Sequence, residues 1–279
     1  MPKAETERVA LVTGATDGLG LGVAKRLAAE GATVHVHGRS PEKLAAAAAA
    51  IVGESGNDSV HTHLADLSSL EQVRRLAEEI ESDLDRLDVL VNNAGIGSGL
   101  PDLRTRQESA DGYELRFAVN YLAGFLLALR LLPLMRRSAP ARIVNVASIG
   151  QAPIDFDDPM IERGYTGKRA YGQSKLAQIS FGFELAERLG DTEVTVNSLH
   201  PSTLMPTKLV IEEYGSSVDT LEEGVEATVR LASAAELEGV TGRFFDRQTE
   251  AEAHPQAYDP EARRRLWDLS VELTGADLD

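Results

Sequence analysis

The chain has 279 residues and carries 28 Lys and Arg against 44 Asp and Glu, a formal charge of −16. A field of that sign repels phosphate backbones and anionic membrane surfaces, and an aromatic share of 5% leaves few platforms for stacked bases, so nucleic acid is not an expected partner. The absence of cysteine excludes disulfides, thiolate metal sites and a cysteine nucleophile, which fits a cytoplasmic protein, and the length suits one α/β domain over 1–279.

The charged start, Met1 to Arg8, has no apolar secretory core and runs into a strand expected at Val9–Thr13. Glycines then lead into a helix at Leu19–Glu30, a strand at Thr33–His37 and a helix at Pro41–Val52. A strand at Ser59–Leu64, a helix at Ser69–Leu84 and a strand at Leu87–Asn92 follow. The next helix, Gly112–Arg136, contains the most apolar stretch, Tyr121 to Met135, which is shorter than the ~20 residues of a membrane span and reads as a buried helix, so no membrane insertion is expected. Beyond it come a strand at Ala141–Ala147, helix Ala170–Gly190, strand Glu193–Leu199, helix Leu221–Ser233, strand Gly242–Phe245 and a terminal helix, Pro260–Leu273. Short β-branched runs alternating with helices predict a doubly wound, Rossmann-like α/β fold: a seven-stranded, mostly parallel sheet with helices on both faces. Its nucleotide-binding half would span about 8–150 and its substrate half about 151–279. Two loops, Gly150–Arg169 and Ser202–Gly215 with Leu204, Met205, Leu209, Val210 and Ile211, are candidate walls for an apolar, medium-sized substrate.

The first strand ends in Thr13-Gly14-Ala15-Thr16-Asp17-Gly18-Leu19-Gly20 and a helix begins. Glycines there let the backbone approach a pyrophosphate, which free N–H groups and the helix dipole stabilise. At the end of the second strand stands Arg39, where an NAD site would offer a carboxylate; a guanidinium suits the 2′-phosphate of NADP(H) and makes NAD(H) the less expected cofactor, although a solvated loop arginine is the plain reading. Asp66, before Leu67, either accepts from an adenine amino group or caps the next helix, and Asn92-Asn93-Ala94-Gly95 either ties loops beside the nucleotide or forms a turn.

In Tyr171-Gly172-Gln173-Ser174-Lys175 the phenol and ammonium lie four apart on one helix face, so the cation favours phenolate. Tyr171 can then exchange a proton with a substrate oxygen, and Ser148, at the end of the fifth strand, can orient that oxygen. The ordered set, from the Thr13-to-Gly20 turn through Asn92–Gly95, Asn120, Ser148 and Tyr171-to-Lys175 to His200-Pro201, resembles the short-chain dehydrogenase/reductase family over nearly the whole chain. The resemblance implies NADP(H)-dependent hydride transfer to or from a small-molecule carbonyl or alcohol. It makes Tyr171 the general acid/base, with Lys175 lowering its pKa and holding the nicotinamide ribose. Ser148 would polarise the carbonyl, Asn120 support a water-linked proton path, and Pro201 and Thr203 meet the nicotinamide. The long interval between Ser148 and Tyr171, with Ile154-Asp155-Phe156-Asp157-Asp158 inside it, and Arg263-Arg264-Arg265-Leu266-Trp267 near the end resemble the retinol-dehydrogenase-like branch. Ser202 and Pro206-Thr207 depart from the family pattern after His200-Pro201, where glycine often follows.

Other readings are weaker on chemistry. His35, His37, His61 and His63 alternate on neighbouring strands, but half-buried strands tolerate histidine and no metal is expected. A non-catalytic NADP(H)-binding sensor or scaffold would use the same fold and is disfavoured by the intact Ser148, Tyr171 and Lys175 set. Phe125, Leu129, Phe181 and Leu185 on two long helices pack either internally or against another subunit, and by resemblance the corresponding helices form a homodimer or homotetramer interface.

Overall fold

A computed structural model of the chain describes residues 8–99, 104–206, 210–211 and 215–278. Its centre is one sheet of β1 (Val9–Val12), β2 (Thr33–Gly38), β3 (Val60–Leu64), β4 (Val89–Asn92), β5 (Ala141–Val146), β6 (Val194–His200), β7 (Arg243–Asp246) and β8 (Thr249–Glu250). The order is β3-β2-β1-β4-β5-β6-β7-β8, parallel throughout except for the antiparallel pair β7 and β8. The expected seven strands are therefore joined by an eighth, two residues long, which offers no alternation to read.

Alternation along each strand sends side chains to opposite faces, and each face has its own core. Ala10, Val12, Val34 and Val36 pack under α1 (Gly18–Ala29), α2 (Pro41–Ser55) and α6 (Leu221–Ser233). Leu11, Leu90 and Ile143 pack under α3 (Leu70–Asp83), α4 (Ala123–Ser138) and α5 (Gly167–Leu189). Ser40, Ser69, Thr166 and Thr220 accept from the N3 amides of α2, α3, α5 and α6, fixing where these helices start.

The helix expected from Gly112 begins later. Residues before it form a turn closed by a Glu108–Glu114 bridge, with Gly112 at φ 84°. A π-helical turn, Phe117–Leu122, then precedes α4; apolar spacing does not separate a π turn from an α turn. The helical stretch Phe117–Ser138 is 22 residues long and contains an 18-residue window of mean hydropathy 1.7, so the expectation that it is too short to cross a membrane is corrected, but 78% of that window is buried within the fold.

The outer side of α5 is covered by the last helix, α7 (Pro260–Thr274). Trp267 meets the rings of Phe125 and Phe181 at centroid distances of 5.2 and 6.3 Å, with the Arg188 guanidinium 4.1 Å from the indole centroid. Phe125, Leu129, Phe181 and Leu185, expected either inside the fold or at a subunit interface, are all buried inside the chain itself.

Candidate active site

The sheet changes winding direction between β1 and β4, and both strands end at the same crevice. On the β1 side Gly14 has φ 64° and a Cβ there would lie 2.8 Å from Ala94 Cα, so only glycine lets the two loops meet. Asn93 Nδ2 donates to the carbonyls of Thr13 and Gly14 at 2.8 and 3.1 Å, while Thr13 Oγ1 accepts from the N–H groups of Asn93 and Ala94. A Cβ on Gly20 would run into Gly14 O and Asn93 Nδ2. Thr16 lies over Gly38, at the end of β2. Asp17 caps α1, its carboxylate accepting from Gly18 N–H at 2.7 Å; Leu19 and Gly20 follow in a first turn whose N–H groups have no carbonyl behind them.

Arg39 is exposed at the end of β2 and has no ion pair among the described residues. Asp66 accepts from Ser68 N–H at 2.9 Å, and α3 is capped by Ser69 instead, which removes helix capping as the role of Asp66. Leu67 is buried beside it. The turn, Arg39 and Asp66 thus stand at the ends of the neighbouring strands β1, β2 and β3.

The second half of the site lies at the ends of β4 and β5. Ser148 Oγ accepts from Gly150 N–H at 3.0 Å, which leaves its own proton available to a ligand. A Cβ on Gly150 would lie 3.4 Å from Ser148 Oγ and 3.7 Å from Tyr171 Cε1, so this glycine sits between the two hydroxyl-bearing residues. Lys175 Nζ is 5.8 Å from the Tyr171 ring centroid and donates to Val146 O at 2.8 Å and Gln178 Oε1 at 3.2 Å. Burial draws this lysine down from 10.5 to about 8. Asn120, in the π turn, accepts from Ile96 N–H and donates to Ile96 O and Ser174 Oγ; Ser174 in turn donates to Tyr171 O. Gly95 separates Asn120 from Lys175, with a Cβ there 3.4 Å from Asn120 Oδ1 and 3.7 Å from Lys175 Nζ. Ser148, Tyr171, Lys175 and Asn120 therefore share one cleft.

Sequence spacing did not reveal what anchors this cleft. Gln178 is one such partner. Asp219 is another: its carboxylate accepts from Ser202 Oγ at 3.0 Å, Thr203 N–H at 2.7 Å and the Arg247 guanidinium. Ser202, where the family often has glycine, thus gives the loop after Pro201 a hydroxyl tie, and His200 Nε2 lies 3.0 Å from Thr203 Oγ1. Of the substrate walls, Ile154 is buried, and Met205 packs by Gly224 and Leu19; Thr207 and Leu209 lie outside the described residues.

The alternating histidines form a different set. Among the described residues no group of three or more His, Cys, Asp or Glu could hold a metal ion. His63 Nδ1 donates to Glu79 at 2.7 Å, so its Nε2 accepts from His35 Nδ1 at 2.8 Å, and His61 stacks on His35.

A profile of the short chain dehydrogenase family matches residues 8–214. The chain is 38% identical over 288 residues to human (Homo sapiens) retinol dehydrogenase 13, covering 97% of this chain and 85% of that protein. Among solved structures it is similar to an uncharacterised protein from Mycobacterium paratuberculosis, with a TM-score of 0.80, 28% identity and coverage of 98% and 95%. A short chain dehydrogenase from Shigella flexneri, solved with NADP, gives a TM-score of 0.71 at 27% identity, covering 88% of this chain and all of that one (100%).

Proposed function

This chain belongs to the short chain dehydrogenase family, and from that membership we propose a cytoplasmic oxidoreductase that moves a hydride between NADP(H) and an apolar, medium-sized carbonyl compound or alcohol. The observation that carries the reading is the convergence of Ser148, Tyr171, Lys175 and Asn120 on one cleft beside the glycine turn. The residues present fit the cofactor: a glycine turn that tolerates no Cβ, free donors at the start of α1, and Arg39 with no carboxylate partner among the described residues. Arg39 favours the 2′-phosphorylated nucleotide, as does the NADP held by the Shigella flexneri relative.

When bound, the cofactor supplies or accepts the hydride. Tyr171 gives its phenolic proton to the substrate oxygen in reduction and takes it back in oxidation, so charge and protons balance. Ser148, with its oxygen already engaged by Gly150 N–H, donates its hydrogen to the same oxygen. Lys175 favours the phenolate by its charge and sits where a ribose can meet its third N–H. Asn120 ties the loop after β4 to the first turns of α5 and so fixes the tyrosine against the cleft.

The test is NADPH oxidation against a panel of aldehydes and ketones, with NADH in parallel. Turnover that prefers NADPH and apolar bulk, and falls at least about 100-fold in Tyr171→Phe, is expected. Tight NADPH binding with no turnover across the panel would sink the enzymatic reading.

A further inference from the structure

Four histidines alternate on β2 and β3, and the reaction proposed above uses none of them. His37 stands apart from the His35–His63–Glu79 chain: it closes β2 beside the cofactor turn and is 3% exposed. We propose that His37 is a positioning residue for the dinucleotide, a neutral imidazole that fixes the glycine turn with one nitrogen and the adenosine end of the site with the other. This rests on the NADP(H) reading above.

The ring makes two bonds of opposite polarity. Gly14 N–H donates to His37 Nδ1 at 3.2 Å, and His37 Nε2 lies 3.0 Å from Ala65 O. A carbonyl oxygen only accepts, so Nε2 carries the proton and Nδ1 is bare: one tautomer satisfies both bonds and the other satisfies neither. The backbone repeats the connection, Ala15 N–H donating to His37 O at 3.0 Å and Ala65 N–H to Gly38 O at 3.1 Å. The turn after β1 and the end of β3 are therefore both hung on residues 37 and 38. Asp66 follows Ala65 and Arg39 follows Gly38, so a single ring links the three parts of the proposed adenosine diphosphate site.

Burial keeps this ring neutral by drawing it from 6.5 to about 4, against the opposing pull of the Ala65 carbonyl; His63 adds to the lowering and Asp66 opposes it. The acceptor at Nδ1 is thus present throughout the neutral range. An apolar side chain of similar size would fill the same space but leave the part-buried Gly14 N–H and the buried Ala65 O without their imidazole partner. That difference separates positioning from packing. The bonds end at β1 and β3, while the reacting groups stand at β4, β5 and α5, so the effect falls on cofactor affinity and not on turnover.

The experiment is a fluorescence titration of the whole protein with NADPH, which needs no turnover, on wild type, His37→Leu and His37→Asn. Asparagine can bring Oδ1 to the place of Nδ1 and keep the acceptor for Gly14; leucine keeps only the bulk. Expected is a Kd raised about tenfold or more in His37→Leu, largely recovered in His37→Asn, with kcat at saturating NADPH unchanged in both. Wild-type affinity in a folded His37→Leu, or an asparagine variant as weak as the leucine one, overturns the proposal. Should the variants fail to fold, ¹⁵N spectra of the wild-type imidazoles decide: a ring with Nε2–H and bare Nδ1 at neutral pH is required, and the opposite tautomer overturns it. Failure of wild type itself to bind NADPH would instead remove the cofactor reading.

Discussion

Lys175 shows how a single residue sets function against stability. Its ammonium has two carbonyl acceptors, and burial alone draws it from 10.5 to about 8. The unfolded chain therefore holds that proton more tightly than the folded one. The penalty is fully present below about pH 8 and is relieved as pH rises from about 8 towards 10.5, so this group makes stability increase across that window. Lys175→Met is accordingly expected to raise the unfolding free energy of the cofactor-free protein by about 1–3 kcal/mol at pH 7 and to flatten its rise above pH 8. The same variant should lose reductase turnover by about 100-fold or more. Chemical denaturation at pH 7 and pH 9.5 beside an NADPH assay reads both; a less stable variant at pH 7 would refute the account. His35, unlike Lys175 and like His37, is kept neutral, lowered to about 3 by desolvation and by its neighbours His63 and His61.

Among the elements, the β1–α1 turn has a geometry with little room to give. A methyl group on Gly20 meets the backbone oxygen of Gly14 and the Asn93 amide that joins this turn to the loop after β4. Gly20→Ala is expected to weaken NADPH binding about tenfold or more and to destabilise the fold by about 2 kcal/mol, measured by titration and denaturation; unchanged binding would show that the turn can shift. This turn was legible in the sequence because everything that defines it is local. So were the strands, since β-branched runs between helical patterns leave few alternatives, and the pairing of Tyr171 with Lys175, which follows from helix spacing. The π turn around Asn120 was not legible, because i→i+5 and i→i+4 bonding share one apolar pattern. Nor were Gln178 as a partner of Lys175, Asp219 with Arg247 at the Ser202 loop, or the two bonds of His37. These contacts join segments far apart in the chain, or turn on which way a side chain points, and no spacing encodes them.

For the molecule as a whole, the decisive element is α7. Of the two places expected for Phe125, Leu129, Phe181 and Leu185, the fold gives the internal one: all four belong to the core that Leu266 and Trp267 join, and Trp267 meets the rings of Phe125 and Phe181. Tyr121 and Ser270, with hydroxyls 2.6 Å apart, and Arg74, donating to Thr274 O at 2.8 Å, fasten the helix further. With that wall covered inside one chain, Trp267→Ala should form larger species or precipitate at concentrations where wild type keeps its mass in light scattering. An intact dimer would mean that another surface holds the copies together. That α7 follows the sheet and the catalytic helix in the chain has a temporal consequence as well. Synthesis runs from the N-terminus, so the ribosome makes the glycine turn, the sheet and the catalytic helix before it makes their cover. Until this helix emerges and docks, a nascent chain already able to form its chemical cleft still shows an aromatic wall to every other nascent chain nearby, and the arrival of the helix is what closes that wall.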